Sequence, residues 1–193
     1  MDSLCHYDRI YQAIIDDKFR TRLDCDADIV ARMIRDAYIT SKIITLFGNG
    51  GSAADSQHFA GELICTFEDR KRPSVPAIAL TTDSSVITAW SNDFGYDTVF
   101  SRQIEGLNQV NGLSIGLSTS GSSRNVLNGL DNAKNYGAKT ILISGSGCPI
   151  RPYSLHVTLP STNTAVIQTL TQIFYHSVCE IVDAELASTT KGK

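Results

Sequence analysis

An apolar, β-branched run at residues 43–47 (Ile-Ile-Thr-Leu-Phe) passes straight into Gly48-Asn49-Gly50-Gly51-Ser52, and then into a helix-forming segment containing Ala53, Ala54 and Ala60. The run reads as a buried strand. Three glycines with an asparagine demand a tight turn, and Ser52 suits a helix N-cap. A strand, a glycine turn and a helix start, in that order, aim unpaired backbone N–H groups and the positive end of a helix dipole into one crevice, which makes an anion site. His58 and Glu62 follow on the same helix. They are four apart and so share a face, a pair able to move protons or hold a metal.

The rest of the chain repeats the alternation. Strands are expected at 77–80, 113–117, 140–143 and 156–159, and helices at 53–67, 84–90, 97–107, 124–136 and 164–186, with Asp97 placed to cap the third of these. Asn92-Asp93-Phe94-Gly95 reads as a turn. Such alternation means an α/β fold, a five-stranded parallel sheet with helices on both faces and right-handed crossovers. In such sheets ligands bind beyond the carboxyl ends of the strands, where both the glycine turn and Ser118-Thr119-Ser120-Gly121-Ser122-Ser123 fall. Two amphipathic helices, 7–17 and 24–42, come first. Their apolar faces either pack on a partner subunit or cover the chain's own sheet. No repeat or linker divides residues 1–193, so we expect one domain, helical over 1–42 and αβα over 43–187, with a frayed polar tail at 188–193.

Composition narrows the function. Hydrophobic residues make up 42% and charged residues 19%, which are globular values. With a net charge of −3 and no basic block, the chain offers no surface for nucleic acid or an anionic membrane. The N-terminus lacks the pattern of a signal peptide, and no apolar run approaches the ~20 residues of a membrane helix. Five widely spaced cysteines, an odd number without a C-x-x-C pair, read as reduced thiols of a cytoplasmic protein, mostly small core residues.

The serine turn is a second candidate anion site, with five hydroxyls and a glycine ahead of a helix. Neither turn carries the Walker lysine, and the first lacks the third glycine of G-x-G-x-x-G, with Ala53 in its place. A triphosphatase and a dinucleotide cofactor are therefore disfavoured. The last helix carries Gln168 and His176, eight apart and roughly 80° apart around the axis, so that they could flank a pocket without stacking. His6 and His156 read as structural.

Four stretches together, GNGGSAADSQHFAGEL, RPSVPAIALTTDSSVITAWSNDFGYDTVFSRQI, LSIGLSTSGSSRNVLNGL and IQTLTQIFYHSVCEIVD, resemble the phosphoheptose isomerases of the sugar isomerase (SIS) fold across about residues 43–183. The resemblance implies a homotetramer with active sites between subunits. It implies conversion of sedoheptulose 7-phosphate to D-glycero-D-manno-heptose 7-phosphate for lipopolysaccharide or another surface glycan. It further implies that Asn49, Gly50, Gly51, Ser52, Asn92, Asp93 and Gln168 line the substrate site, and that Ser118, Thr119, Ser120 and Ser123 hold the phosphate. Glu62 would be the general base and His176 the general acid. A zinc would be held by His58, Glu62, Gln168 and His176, of which the amide is the less usual ligand.

The chain departs from the family at Val166 and Thr169, where arginine and glutamate are common, at Trp90-Ser91, and in the 144–149 loop. Two other readings compete. One is a non-catalytic SIS protein of the kind that associates with the replication initiator DnaA, which lacks the glutamate and histidine kept here. The other is a sugar-phosphate-sensing regulatory domain, normally fused to a DNA-binding module.

Overall fold

The computed structural model describes residues 5–107 and 111–187. Two helices lead, α1 (His6–Ile15) and α2 (Asp17–Ile39). Asp16 alone separates them. Its carboxylate accepts from the N–H groups of Lys18 and Phe19, which starts α2 about two turns earlier than periodicity placed it. There follow β1 (Ile44–Gly48), α3 (Gly51–Ile64), β2 (Ala77–Ala79), α4 (Ser84–Phe94), α5 (Val99–Gly106), β3 (Leu113–Leu117), α6 (Arg124–Asn135), β4 (Lys139–Gly145), β5 (Leu155–Leu159) and α7 (Thr164–Ala187).

The five strands form one sheet in the order β2-β1-β3-β4-β5, every neighbouring pair parallel. This is the expected architecture. Strand residues alternate between two cores. Leu46, Ile115, Ile141, Ile143 and Val157 pack under α2, α3 and α7. Phe47 and Leu142 pack under α5 and α6 on the other face. The two helices that carry the candidate chemistry, α3 and α7, thus lie side by side on one face. The chain leaves β1 toward β2, then crosses back to β3 on the other side of β1. Such a reversal opens a crevice at the carboxyl ends of the two strands. Gly48 registers with Leu117, so the glycine and serine turns leave the sheet next to each other.

Several local expectations are corrected. Residues 92–94 close α4 instead of forming a separate turn, and Gly95, at φ 89, ends the helix. Asp97 does not cap α5. It sits in a single 3-10 turn, Tyr96–Thr98, and Thr98 precedes the helix without a side-chain cap. Among the five free cysteines only Cys148 and Cys179 are buried, so most are not core residues. The N-terminal helices cover the chain's own core to different extents. Helix α2 buries Ala27, Val30, Ala31, Ile34 and Ala37 within the chain's own core, whereas α1 only rests Ile10 and Ala13 against that core and exposes Tyr7 and Tyr11, stacked on each other. The 188–193 tail lies outside the described residues. Among those described, no helix is long and apolar enough to cross a membrane.

Candidate active site

The first turn is built by glycine at positions where a side chain does not fit. A Cβ on Gly48 would lie 2.8 Å from the carbonyl oxygen of Ser52 and 2.9 Å from that of Leu117, both main chain and unable to yield. Gly50, at φ 55, reverses the chain and serves as N-cap of α3. Ser52 is therefore not the cap. It stands inside the first helical turn, buried, with its N–H bonded to the carbonyl of Asn49. A Cβ on Gly51 would meet the amide nitrogen of Gln168 at 2.2 Å, so α7 lays that amide directly over the turn.

The second turn is pre-formed by its own hydroxyls. Ser118 Oγ donates to Ser123 Oγ at 2.9 Å and accepts from the Ser123 N–H, while Gly121 takes φ 62. Between the two turns lies a cleft of about 280 Å³. Asn49, Gly50, Gly51, Ser52, Ser118, Thr119, Ser123 and Gln168, all singled out in the sequence, line it, and so does Thr164, which was not. Helices α3, α6 and α7 all begin at this cleft, and among the described residues no lysine or arginine lines it. An anion here would be met by helix dipoles, N–H groups and hydroxyls.

Three expected residues stand aside from the cleft lining. Ser120 is turned to Ser122, with their hydroxyls 2.9 Å apart. Asn92 and Asp93 are exposed on α4 and bond to each other at 2.8 Å. Asn49 lines the cleft, but its amide is committed. It exchanges two hydrogen bonds with the amide of Asn125, at 2.9 and 2.8 Å, and accepts a third from the Tyr96 hydroxyl.

Farther along α3 and α7 the ionisable groups converge. His58 Nε2 faces Glu62 Oε1 at 2.9 Å. The ring of His176 meets that of His58 edge-on, with centroids 5.3 Å apart. One ligand atom from each of His58, Glu62 and His176 lies within 4.8 Å of the others. His176 Nε2 is buried and has no hydrogen-bond partner. Burial first, and then the charge of His58, hold the His176 pKa below its ordinary value against the raising effect of Glu62, which favours the neutral imidazole. A neutral, orphaned ring nitrogen beside a second imidazole and a carboxylate is a donor set that suits zinc. The site thus passes the chemical test for that metal with three ligands. The fourth expected ligand, Gln168, is not with them: it lies eight residues, or about 12 Å of helix, before His176 and is packed on Gly51.

Reading the sequence alone overlooked two neighbours of this trio. The buried Tyr175 hydroxyl lies 2.7 Å from His58 Nδ1 and fixes the ring's orientation. Its signal was a tyrosine on a helix of buried apolar residues, where a phenol needs a partner. Asp55, one turn before His58, keeps a buried Oδ2 without a partner, and burial pushes its pKa up to about 6 against the lowering effect of His58. His156 is structural, as expected. Its Nε2 faces Ser144 Oγ and its Nδ1 accepts from the Arg151 N–H.

The chain is similar to known proteins along most of its length. The family model described as "SIS domain" matches residues 8–145. A phosphoheptose isomerase from Aliarcobacter butzleri is 47% identical over 146 residues, 75% of this chain and 77% of that one. One from Roseiflexus is 42% identical over 180 residues, 91% of this chain and 90% of that one. The solved structure of a phosphoheptose isomerase from Neisseria gonorrhoeae superposes with a TM-score of 0.81 at 31% identity, covering 92% of this chain and 96% of that one.

Proposed function

The chain belongs to the SIS domain family and, within it, to the phosphoheptose isomerases, and from that premise we propose that it converts sedoheptulose 7-phosphate to D-glycero-D-manno-heptose 7-phosphate for surface-glycan synthesis. The observation that carries this reading is the meeting of Glu62 with the unpartnered, neutral His176 on the face that also bears the anion cleft. In the reaction Glu62 takes the C1 proton of the ketose and returns it to C2 through a cis-enediol. His176 exchanges the proton between the two oxygens. The serine and glycine turns hold the phosphate, and that binding positions the reacting carbons.

Glu62 stands eleven residues after Gly51, about 16 Å along α3, farther than a seven-carbon phosphate reaches from its phosphorus to C1. This distance supports a homo-oligomer, on the family's pattern a tetramer, in which the cleft of one subunit faces the His58–Glu62–His176 trio of another. The same arrangement would bring a neighbour's Gln168 to the trio. Zinc bound by His58, Glu62 and His176 would polarise the substrate carbonyl as a Lewis acid. The five free thiols support a reducing, cytoplasmic setting. The retained glutamate and histidine favour an enzyme over an interaction protein of the DnaA-associating type. Incubation of the purified protein with sedoheptulose 7-phosphate tests the proposal. The ketose should be depleted and an aldoheptose 7-phosphate should accumulate, and no turnover with or without added zinc would refute it.

A further inference from the structure

The loop between α3 and β2 contains a buried arginine that the proposed chemistry does not use. Arg72 is 5% exposed and Asp183, on α7, is also 5% exposed. Arg72 Nε donates to Asp183 Oδ1. The rest of its guanidinium goes to main chain: Nη2 donates to the carbonyl of Glu62 at 2.6 Å, and Nη1 to those of Leu63 and Pro73, each at 2.8 Å. The second oxygen of Asp183 accepts the N–H groups of Glu68 and Asp69, each at 2.8 Å.

Each part of this knot has a physical reason. Helix α3 ends at Ile64, so the carbonyls of Glu62 and Leu63 lack their usual helical partners. A guanidinium offers five donors in a fixed fork, and here it satisfies both carbonyls and a carboxylate together. An aspartate in the core is tolerated only with such a partner. The consequence reaches the site. Arg72 grips the backbone of Glu62 itself, and Asp183 lies seven residues beyond His176, two turns on and on the same face of α7. One rigid contact therefore ties the main chain of the proposed base to the helix of the proposed acid.

We infer that the Arg72–Asp183 pair is a positioning device that sets the separation and orientation of Glu62 and His176. The inference rests on the reading of those two residues as base and acid. Neither Arg72 nor Asp183 touches substrate.

The test compares Arg72→Lys and Asp183→Asn with a control, Ile104→Ala, which thins the core under α5 on the opposite face of the sheet. Each is assayed per folded molecule, with folding followed by thermal melting. Histidine ring resonances are recorded by NMR without substrate. Arg72→Lys, which keeps one charge and loses the fork, should lower kcat about tenfold and leave the KM for sedoheptulose 7-phosphate within about twofold. Asp183→Asn should lower kcat further. Both should shift the His58 and His176 ring signals, and Ile104→Ala should shift neither kcat nor those signals.

Unchanged kcat and ring signals in folded Arg72→Lys would overturn the inference, as would a loss of kcat matched by the control. If neither Arg72→Lys nor Asp183→Asn folds, the pair serves folding rather than positioning and the inference falls. Absence of turnover in the parent protein would instead refute the proposed function, and the ring signals would still decide the role of the pair.

Discussion

The anion cleft and the His58–Glu62–His176 trio share helices α3 and α7, yet they are made in opposite ways. The cleft is assembled from main chain and short hydroxyls at the ends of β1 and β3, and its turns satisfy themselves before any ligand arrives. The trio joins His58 and Glu62, four apart on α3, to His176 more than a hundred positions on, and it leaves a buried nitrogen of His176 with nothing to bond. On the proposed reading, the cleft would owe its affinity to many small, redundant donors and the trio its reactivity to a few groups held at fixed distances from one another. Damage to the first should therefore appear in binding, and damage to the second in turnover.

Substitutions on the two sides should separate these effects. Glu62→Gln removes the proposed base at nearly constant shape. It should lower kcat by about 100-fold or more with little change in KM, whereas Ser118→Ala should raise KM and spare kcat. Steady-state assays of the pair would break the distinction if both variants moved the same constant. Gly51→Ala places a methyl where the Gln168 amide lies. It should push that side chain off the turn and raise KM roughly tenfold, a loss of about 1.4 kcal/mol in substrate binding.

Tyr175→Phe leaves His58 Nδ1 without its partner. Zinc affinity, read by competition with a chromogenic chelator, should fall about tenfold, since outer partners of metal-binding histidines commonly have effects of that size. The smallest effect concerns stability alone. The Asp55 carboxyl has its pKa raised to about 6 in the fold from 3.8. Between those values the folded chain holds a proton that the unfolded chain has released. The stability contributed by that proton is complete below about 4 and lost as pH rises through about 6. Asp55→Asn should therefore melt slightly higher than the parent at pH 8 and equally at pH 4.

What could be read in advance follows the same division. Strand–turn–helix order, the parallel sheet and the cleft at the β1–β3 crevice all follow from local pattern, because a β-branched run and a glycine turn carry their geometry with them. Helix ends were less legible. Ser52 and Asp97 look like caps by residue type, but the left-handed Gly50 reversed the chain two residues before Ser52, and a 3-10 turn absorbed Asp97. Tertiary partners were not legible at all. Nothing near Arg72 in sequence shows that it reaches Asp183, 111 positions away. The one available hint was Asp183 itself, an acid on a helix face otherwise made of Val178, Cys179, Val182 and Leu186, where burial forces a partner without naming it.

The reciprocal amide pair of Asn49 and Asn125 carries one more consequence. It locks the exit of one strand to the helix that follows another, and each amide presents its acceptor to the other's donor. An apolar replacement at one member leaves the amide nitrogen of its mate without this partner, while the Asn49 oxygen keeps the Tyr96 hydroxyl and the Asn125 oxygen keeps the Val126 N–H, so one step is enough to open the lock. Drift through related genomes should then leave the two positions either both asparagine or both altered, a joint inheritance that an alignment of descendants would register as covariation between the two turns.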